Sequence, residues 1–467
     1  MLRLSRRSFL AASAGALAAP VVRATAAPAA TGEVDVAIVG AGAAGIAAGR
    51  RIVAAGQRIA LIEAADRVGG RCITDTSTFG LPVDRGAHWI HTPDINPLAK
   101  LAPRPGFDIY PSPPGQKLRI GRRNAREGEM EDFLSALVRS NRAIADAVTR
   151  GKTDVSCAQA LPRDLGEWRA PIEFVLGPYG SGKDLNEVSA LDLSKSAERD
   201  SAAFCRQGFG ALLARLAQNL PVQVATPVTR IDWSRGLDVE TDKGRIAARA
   251  VIVTVSTNVL TAGKIKFTPE LPRRQIEAAA RLKLGSYDHI VLELAGNPLE
   301  LQNDDLVFEK SERPRTAALL ANMSGTALAM LEVGGNFGRD LSAQGQPAMV
   351  AFASDWLAQL FGADIRKAIK RTSATRWNEE PWVLGAWSAA TPGNQSARRT
   401  LAEALGNKIW FAGEAVHETL WGTVGGAWES GERAADAVLR RLGVLKEPQQ
   451  PQQPKPPPAK TTSRRRR

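Results

Sequence analysis

The sequence predicts an α/β fold with a second domain of the α+β kind, in which a mixed sheet packs with helices. Three observations predict it. A glycine turn stands between an apolar run and a helical stretch in residues 34–54. A second apolar run ends in an acid at Glu63. Further buried-strand runs recur at Val251 to Val255 and Lys408 to Phe411, far along the chain, as a parallel sheet assembled from separated segments requires.

The first unit reads in order. Val34 to Val39 suits a buried parallel strand. Gly40, Gly42 and Gly45 then form GxGxxG. The first glycine permits the tight turn, the second lets the backbone approach a pyrophosphate, and the third lets helix and strand sit close. Ala43 and Ala44 open the helix, whose N-terminal N–H groups favour phosphate. Ile59 to Ile62 is the next strand. Glu63 follows, 18 residues beyond Gly45, where a carboxylate can accept from ribose hydroxyls. Ala64, Arg67, Gly69, Gly70 and Arg71 continue the motif. The glycine doublet allows close backbone approach, and the arginines suit phosphate oxygens. This extension is typical of FAD rather than of a nicotinamide.

Further along, residues 93–204 read as largely helical and irregular, with helical spacing from Glu131 to Val148. Arg206 to Gly210 reads as a turn entering a helix. Residues 222–255 read as a meander: VQVATPVTRIDW, LDVETDKG and AARAVIVTVS, with a turn at Lys243-Gly244. Residues 287–385 mix strand-like and helix-like stretches. A last helix is expected to start near Thr423 and run to Leu442. Residues 447–467, rich in Pro, Gln, Lys and Arg, read as a disordered tail.

The formal charge of +13 is concentrated at the ends. Eleven of the 61 basic residues and one of the 48 acidic residues lie in 1–26 and 444–467, leaving a nearly balanced body. No nucleic-acid partner is expected from such a balance. Three cysteines exclude a disulfide framework. With four dispersed histidines and no CxxC, no metal site is expected. No apolar run is long enough for a transmembrane segment in the mature chain.

The N-terminus, MLRLSRRSFLAASAGALAAP with Ala24-Thr25-Ala26 beyond, resembles a twin-arginine signal peptide over residues 1–26. It implies the twin-arginine export machinery as a partner, a mature chain starting near Ala27, and a periplasmic location for a protein exported folded.

Four motifs in order carry a wider resemblance: RVGGR, GAHWIHTPDINPL at 86–98, WNEEPWVLGAWS at 377–388 and FAGEAVHETLWGTVGGAWESGERAA at 411–435. Together they resemble the flavin-containing amine oxidases, in particular the polyamine oxidase and lysine-specific histone demethylase branch. The resemblance implies a Rossmann-like FAD domain from segments 33–92, 205–286 and 388–443. It implies a substrate domain from 93–204 and 287–387. The implied reaction moves hydride from the carbon next to an amine nitrogen to flavin N5, and water then hydrolyses the imine. The substrate is a small-molecule amine, and the electrons pass to oxygen or to a periplasmic acceptor.

By the same resemblance Glu63 holds the adenosine ribose, Arg71 the phosphate region, and Val228 the adenine through its backbone. Gly86, Ala87, His88 and Trp89 belong to the cofactor site. Gly413 and Glu414 line the ribityl and pyrophosphate end. Thr423 and Val424 face the flavin pyrimidine edge. His91 faces the substrate, where a histidine can exchange a proton or bond an amine. Trp387 and Thr423 take the two walls of the family's aromatic cage. Ala386 stands where some relatives attach flavin through cysteine, so FAD is expected to be non-covalent. His289 takes the place of the lysine that holds a water at flavin N5. Two other readings compete. A flavin desaturase or oxidase of a non-amine substrate would not share GAHWIH. A non-catalytic FAD-binding module draws its support from His289.

Overall fold

A computed structural model describes residues 32–151, 153–197 and 201–446. The expected export signal at 1–26 and tail at 447–467 lie outside the described residues. The expected βαβ unit forms as the strand Gly32–Val39, the helix Ala43–Ala54 and the strand Ile59–Ile62. Gly32–Val39 pairs in parallel with Ile59–Ile62 on one side and with Gly244–Val253 on the other. Val222–Gln223 extends the sheet beyond Ile59–Ile62, and Ile409–Phe411 pairs in parallel with the end of Gly244–Val253. Apolar clusters cover both faces, one around Ile231, Val251 and Phe411, the other around Ile38, Ala48 and Val438. Double coverage explains why these strands read as continuous apolar runs.

The meander needs one correction. VQVATPVTRIDW is not one strand. Val222–Gln223 joins the parallel edge, and Val228–Asp232 pairs antiparallel with Asp238–Thr241. Between them Ala225 takes a left-handed φ of 48° and Pro227 has no N–H to give a ladder. The break sends the chain past the glycine motif, where Ala225 N–H donates to the Ala65 carbonyl and Thr226 N–H to the Glu63 carbonyl.

A second sheet has the order Ile369–Ala374, Tyr287–Leu294, Leu328–Gly334, Ala318–Ala321, Asp305–Glu309, Lys117–Ile120 and Arg123–Asn124. Its last two strands lie in a region read from sequence as largely helical. They are short, and Lys117–Ile120 is held by a parallel partner about 190 residues later, Asp305–Glu309. The helical spacing between them and residue 151 does become a helix, Glu127–Arg150. The short strand Ile90–His91 pairs with Ala202–Cys205, which also pairs with Ile109–Pro111. The last helix is Val424–Arg441 with Thr423 as its N-cap. It crosses Ala43–Ala54 so closely that a Cβ on Gly431 would lie 2.1 Å from the Ala44 carbonyl oxygen. No helix among the described residues is long and apolar enough to cross a membrane.

Candidate active site

A cavity of about 1120 Å³ runs from the glycine turn to the second sheet. Its first end is built by backbone constraint. Gly40 has φ of 103°, which an L side chain rarely adopts. A Cβ on Gly45 would lie 1.8 Å from the Gly40 carbonyl oxygen, so only glycine lets the helix start there. Gly42 bridges to Gly69, and the Gly69 N–H donates to the Ala41 carbonyl. The doublet is thereby folded onto the turn. Glu63 is buried at the end of its strand, accepting from the Ala41 N–H at 2.7 Å and the Ala65 N–H at 2.9 Å. Burial raises its pKa, and those two backbone donors pull the other way. Each carboxylate oxygen retains acceptor capacity for a ribose hydroxyl. Gly42, Ala43, Ala44, Ala64, Arg67, Gly70 and Val228 line the same end. This cradle fits a dinucleotide: backbone close to a pyrophosphate, a helix N-terminus behind it, and a buried carboxylate for the ribose.

The arginines and Glu414 are committed within the protein. Arg67 donates to the Gly70 carbonyl at 2.9 Å. Arg71 Nη1 donates to Glu414 at 2.9 Å and to the Ala386 carbonyl at 2.5 Å. Glu414 also accepts from the Ser388 N–H and hydroxyl and from the Gly422 N–H. Burial pushes the Glu414 carboxyl up, but Arg71 and Arg398 outweigh it and hold the pKa below its usual value. Behind Ser388 lies a fully buried pair that sequence reasoning missed. Arg398 meets Asp192 through two bonds of 2.7 and 2.6 Å and donates to Ser388 Oγ. Asp192 is thus part of the frame. So are Glu187, bound to Asn336, and Glu379, paired with Arg376.

Gly413 stays open to the cavity, its backbone fixed by Ser430. Val424 lines the cavity at the helix N-terminus, whose dipole favours negative charge there. The Thr423 hydroxyl accepts from the Gly426 N–H and donates to the Leu420 carbonyl. Its work is capping, and it meets the cavity only as a small wall.

At the other end Trp387 packs 4.8 Å from Tyr287, ring centre to ring centre. Gly182 and Gly422 abut its indole, and a Cβ on Gly422 would lie 2.7 Å from Trp387 Cδ1. Gly86 is packed against the Arg71 carbonyl, and Ala87 N–H donates to that same oxygen. His88 and Trp89 both pack on Phe204, each at 4.7 Å. His91, half-buried on its short strand, lines the same cavity as Trp387.

His289 is buried, with Nδ1 3.3 Å from the Asp84 carbonyl. Burial, with His88 adding, lowers its pKa to about 4. Asp84 also takes His88 Nδ1 at 3.4 Å and the N–H groups of Phe209 and Gly210. One residue therefore ties both histidines to a helix N-terminus. Asp84, Tyr287 and Glu332 were not found from sequence. Glu332 left a trace: it is the one acid in the apolar strand LAMLEVG.

Cys72, Cys157 and Cys205 are free and buried. Cys72 borders the cavity, but burial pushes its thiol up to about 12, away from the nucleophilic form. Ala386, at the position considered for attachment, has no thiol. The site therefore suits a non-covalent FAD.

Comparison with known proteins agrees with this geometry. The family model for flavin containing amine oxidoreductases matches residues 43–439. The chain is 26% identical over 437 residues to lysine-specific histone demethylase 1B of Mus musculus, covering 86% of this chain and 52% of that protein. It spans about half the length of such demethylases. Polyamine oxidase 4 of Oryza sativa subsp. japonica is 25% identical over 447 residues, covering 88% of this chain and 90% of that protein. Cyclohexylamine oxidase from Brevibacterium oxydans has the same fold, with a TM-score of 0.75 at 21% identity, covering 88% of this chain and 99% of that one. Putrescine oxidase bound to putrescine gives the same TM-score and identity, with 87% and 99% covered. The chain belongs to the flavin-containing amine oxidoreductases.

Proposed function

We propose that this protein oxidises a small-molecule amine with FAD as its redox cofactor. The observation that carries the reading is one cavity with a dinucleotide cradle at one end and an aromatic enclosure at the other. Bound FAD would supply the acceptor for hydride from the carbon next to nitrogen, and the imine left behind would be hydrolysed. The chain's own residues orient and enclose. Trp387 and Tyr287 offer flat faces that position an amine and keep water away. His91 stands on the cavity wall as a group able to accept from or donate to the amine. The N-terminus of Val424–Arg441 sets positive potential where reduced flavin would carry negative charge.

The relatives' names include polyamine, putrescine and cyclohexylamine oxidases. They support a panel of polyamines, diamines and cyclic monoamines as first substrates. The test is anaerobic mixing of FAD-loaded protein with that panel, following the oxidised flavin band near about 450 nm, a property of the cofactor. Bleaching by one class supports amine oxidation, and absence of bleaching by every member rejects it. Oxygen or a periplasmic carrier then receives the electrons, and reoxidation rates with each separate the two. The export reading rests on residues 1–26 alone. Cell fractionation with Arg6→Lys and Arg7→Lys together checks it: retention in the cytoplasm supports twin-arginine export.

A further inference from the structure

The reading above uses no carboxylate near the aromatic end of the cavity, yet the structure holds one. Glu332 lies on the strand Leu328–Gly334, directly opposite His289 in the ladder, with no exposed surface. It borders the cavity together with Tyr287, Trp387 and Trp89. Its Oε1 accepts from the Trp89 indole N–H at 3.2 Å and stands 3.7 Å from His289 Nε2. Its Oε2 is buried and receives no hydrogen bond of normal geometry, although the Tyr287 hydroxyl is close enough to lower the carboxyl's pKa.

The ring of His289 fixes what Glu332 faces. Nδ1 of His289 meets the Asp84 carbonyl, which can only accept. The ring proton is therefore on Nδ1, and Nε2 presents a lone pair. Burial keeps the ring neutral. Two acceptors, Nε2 and the carboxylate, thus stand side by side on the cavity wall. Such a pair is satisfied by a donor bound against both, or by a proton taken up on the carboxylate itself. An alkylammonium is a donor of the right kind: it carries several N–H groups and a charge opposite to the carboxylate's.

We propose that Glu332 is a catalytic base that seats the substrate's ammonium group with His289 Nε2 and removes its proton. This rests on the amine-oxidation reading. In the step an N–H bond of the ammonium breaks and an O–H bond forms on Glu332. The ammonium and carboxylate become a neutral amine and a carboxylic acid, and no electrons change hands. Only the neutral amine, whose nitrogen lone pair can stabilise the developing positive charge, then loses hydride to the cofactor. The proton leaves Glu332 to solvent after the product departs.

The acidity of Glu332 suits the task. Burial pushes its carboxyl up to about 7, with the Trp89 N–H, His88 and Tyr287 pulling the other way. Tyr179, half-buried, is a further titratable group that senses it, and desolvation and Glu332 both raise the tyrosine's pKa. A base with a pKa near working pH is the effective kind.

The test is the pH profile of anaerobic flavin reduction in wild type and Glu332→Gln. Wild type should rise through a limb near pH 7 to a plateau. Glu332→Gln should lose that limb, run about 100-fold slower at neutral pH, and gain about tenfold per pH unit as free amine replaces ammonium. An unchanged rate and profile overturns the proposal. Trp89→Phe guards against misfolding of the first variant, because it keeps the ring and removes only the donor on Oε1. Its limb should move to higher pH, and an unmoved limb overturns the proposal.

A tert-alkyl primary amine separates this idea from the reading beneath it. It has no hydrogen on the carbon next to nitrogen, so it binds without reducing flavin. If no amine bleaches wild type, amine oxidation falls. The seat then stands only if this amine perturbs the flavin spectrum of wild type at least about tenfold more tightly than that of Glu332→Gln. Equal or absent binding removes the seat as well.

Discussion

Arg71 Nη1 lies 2.9 Å from Glu414 Oε1, so two residues expected at the cofactor site, both lining the cavity, also hold each other. Their bond ties the segment after the glycine doublet to the turn before the last helix, 343 residues away. An internal ion pair thus lines the cofactor end of the cavity. Glu414→Gln keeps the shape but turns an amide NH₂ toward donors. A loss of about 2–3 kcal/mol is expected, below the full value for a buried pair because Arg71 is partly exposed. Thermal unfolding measures it.

The same pair gives a pH signature. The folded-state pKa of Glu414 lies below its ordinary value of 4.5. Its contribution to stability is complete above that value and is lost as pH falls through the lowered one. The gap in stability between wild type and Glu414→Gln should therefore be constant at neutral pH and narrow in acid. A gap that stays constant to about pH 3 would mean that Glu414 does not titrate in this way.

Gly45→Ala tests the cradle. The added Cβ has no room beside the Gly40 carbonyl, and that contact is backbone, which cannot swing away. The turn must open and the helix N-terminus must retreat from the phosphates. FAD affinity should fall at least about 100-fold, read by fluorescence titration of the apoprotein. Glu63→Gln should weaken FAD less, because only the ribose contacts and two backbone hydrogen bonds change.

Asp192→Asn should strike stability rather than chemistry. Asp192 and Arg398 have no exposed side-chain surface, and the guanidinium also stacks on Trp421 at 4.9 Å. Removing one charge strands the other, at about 3–5 kcal/mol. Urea unfolding of the FAD-loaded protein is the measurement. A shift under about 1 kcal/mol would show that the pair is not a keystone of the frame.

Gly422→Ala separates cofactor binding from substrate handling. Gly422 has φ of 69°, and its added Cβ would meet Trp387 Cδ1. The indole must shift, while the glycine cradle is untouched. Flavin reduction by amine should slow about tenfold or more, as misplacement of a positioning group does, with FAD affinity within about threefold.

How much of this was legible follows the length of chain involved. The cradle was readable because Gly40, Gly42, Gly45 and Glu63 lie within one contiguous βαβ unit whose spacing is set by its own geometry. The N-cap at Thr423 was readable for the same reason. Glu332 and Trp89 meet across 243 positions, and Arg398 and Asp192 across 206. No local period encodes such pairings. The strands Lys117–Ile120 and Arg123–Asn124 escaped because they are short and the first draws its place from a distant partner. A lone acid inside LAMLEVG was the one local hint of a buried functional group.

His289→Lys tests what the histidine has changed. The resemblance places a lysine there, and the chain instead has a ring whose Nε2 is an acceptor beside Glu332. A lysine ammonium would put a positive charge next to that carboxylate and lower its pKa, because an opposite charge within a few ångström favours the ionised form. The acid limb of flavin reduction should therefore move to lower pH. The same cation would stabilise negative charge developing on oxygen during reoxidation, so reoxidation by air should quicken by about tenfold or more. Double-mixing stopped flow, reducing first with amine and then adding oxygen or a soluble quinone, reads both effects in one experiment. Faster reaction with oxygen but not with quinone would place His289 at the branch between oxidase and dehydrogenase behaviour. Equal rates in both variants would show that oxygen reactivity is set elsewhere in the cavity.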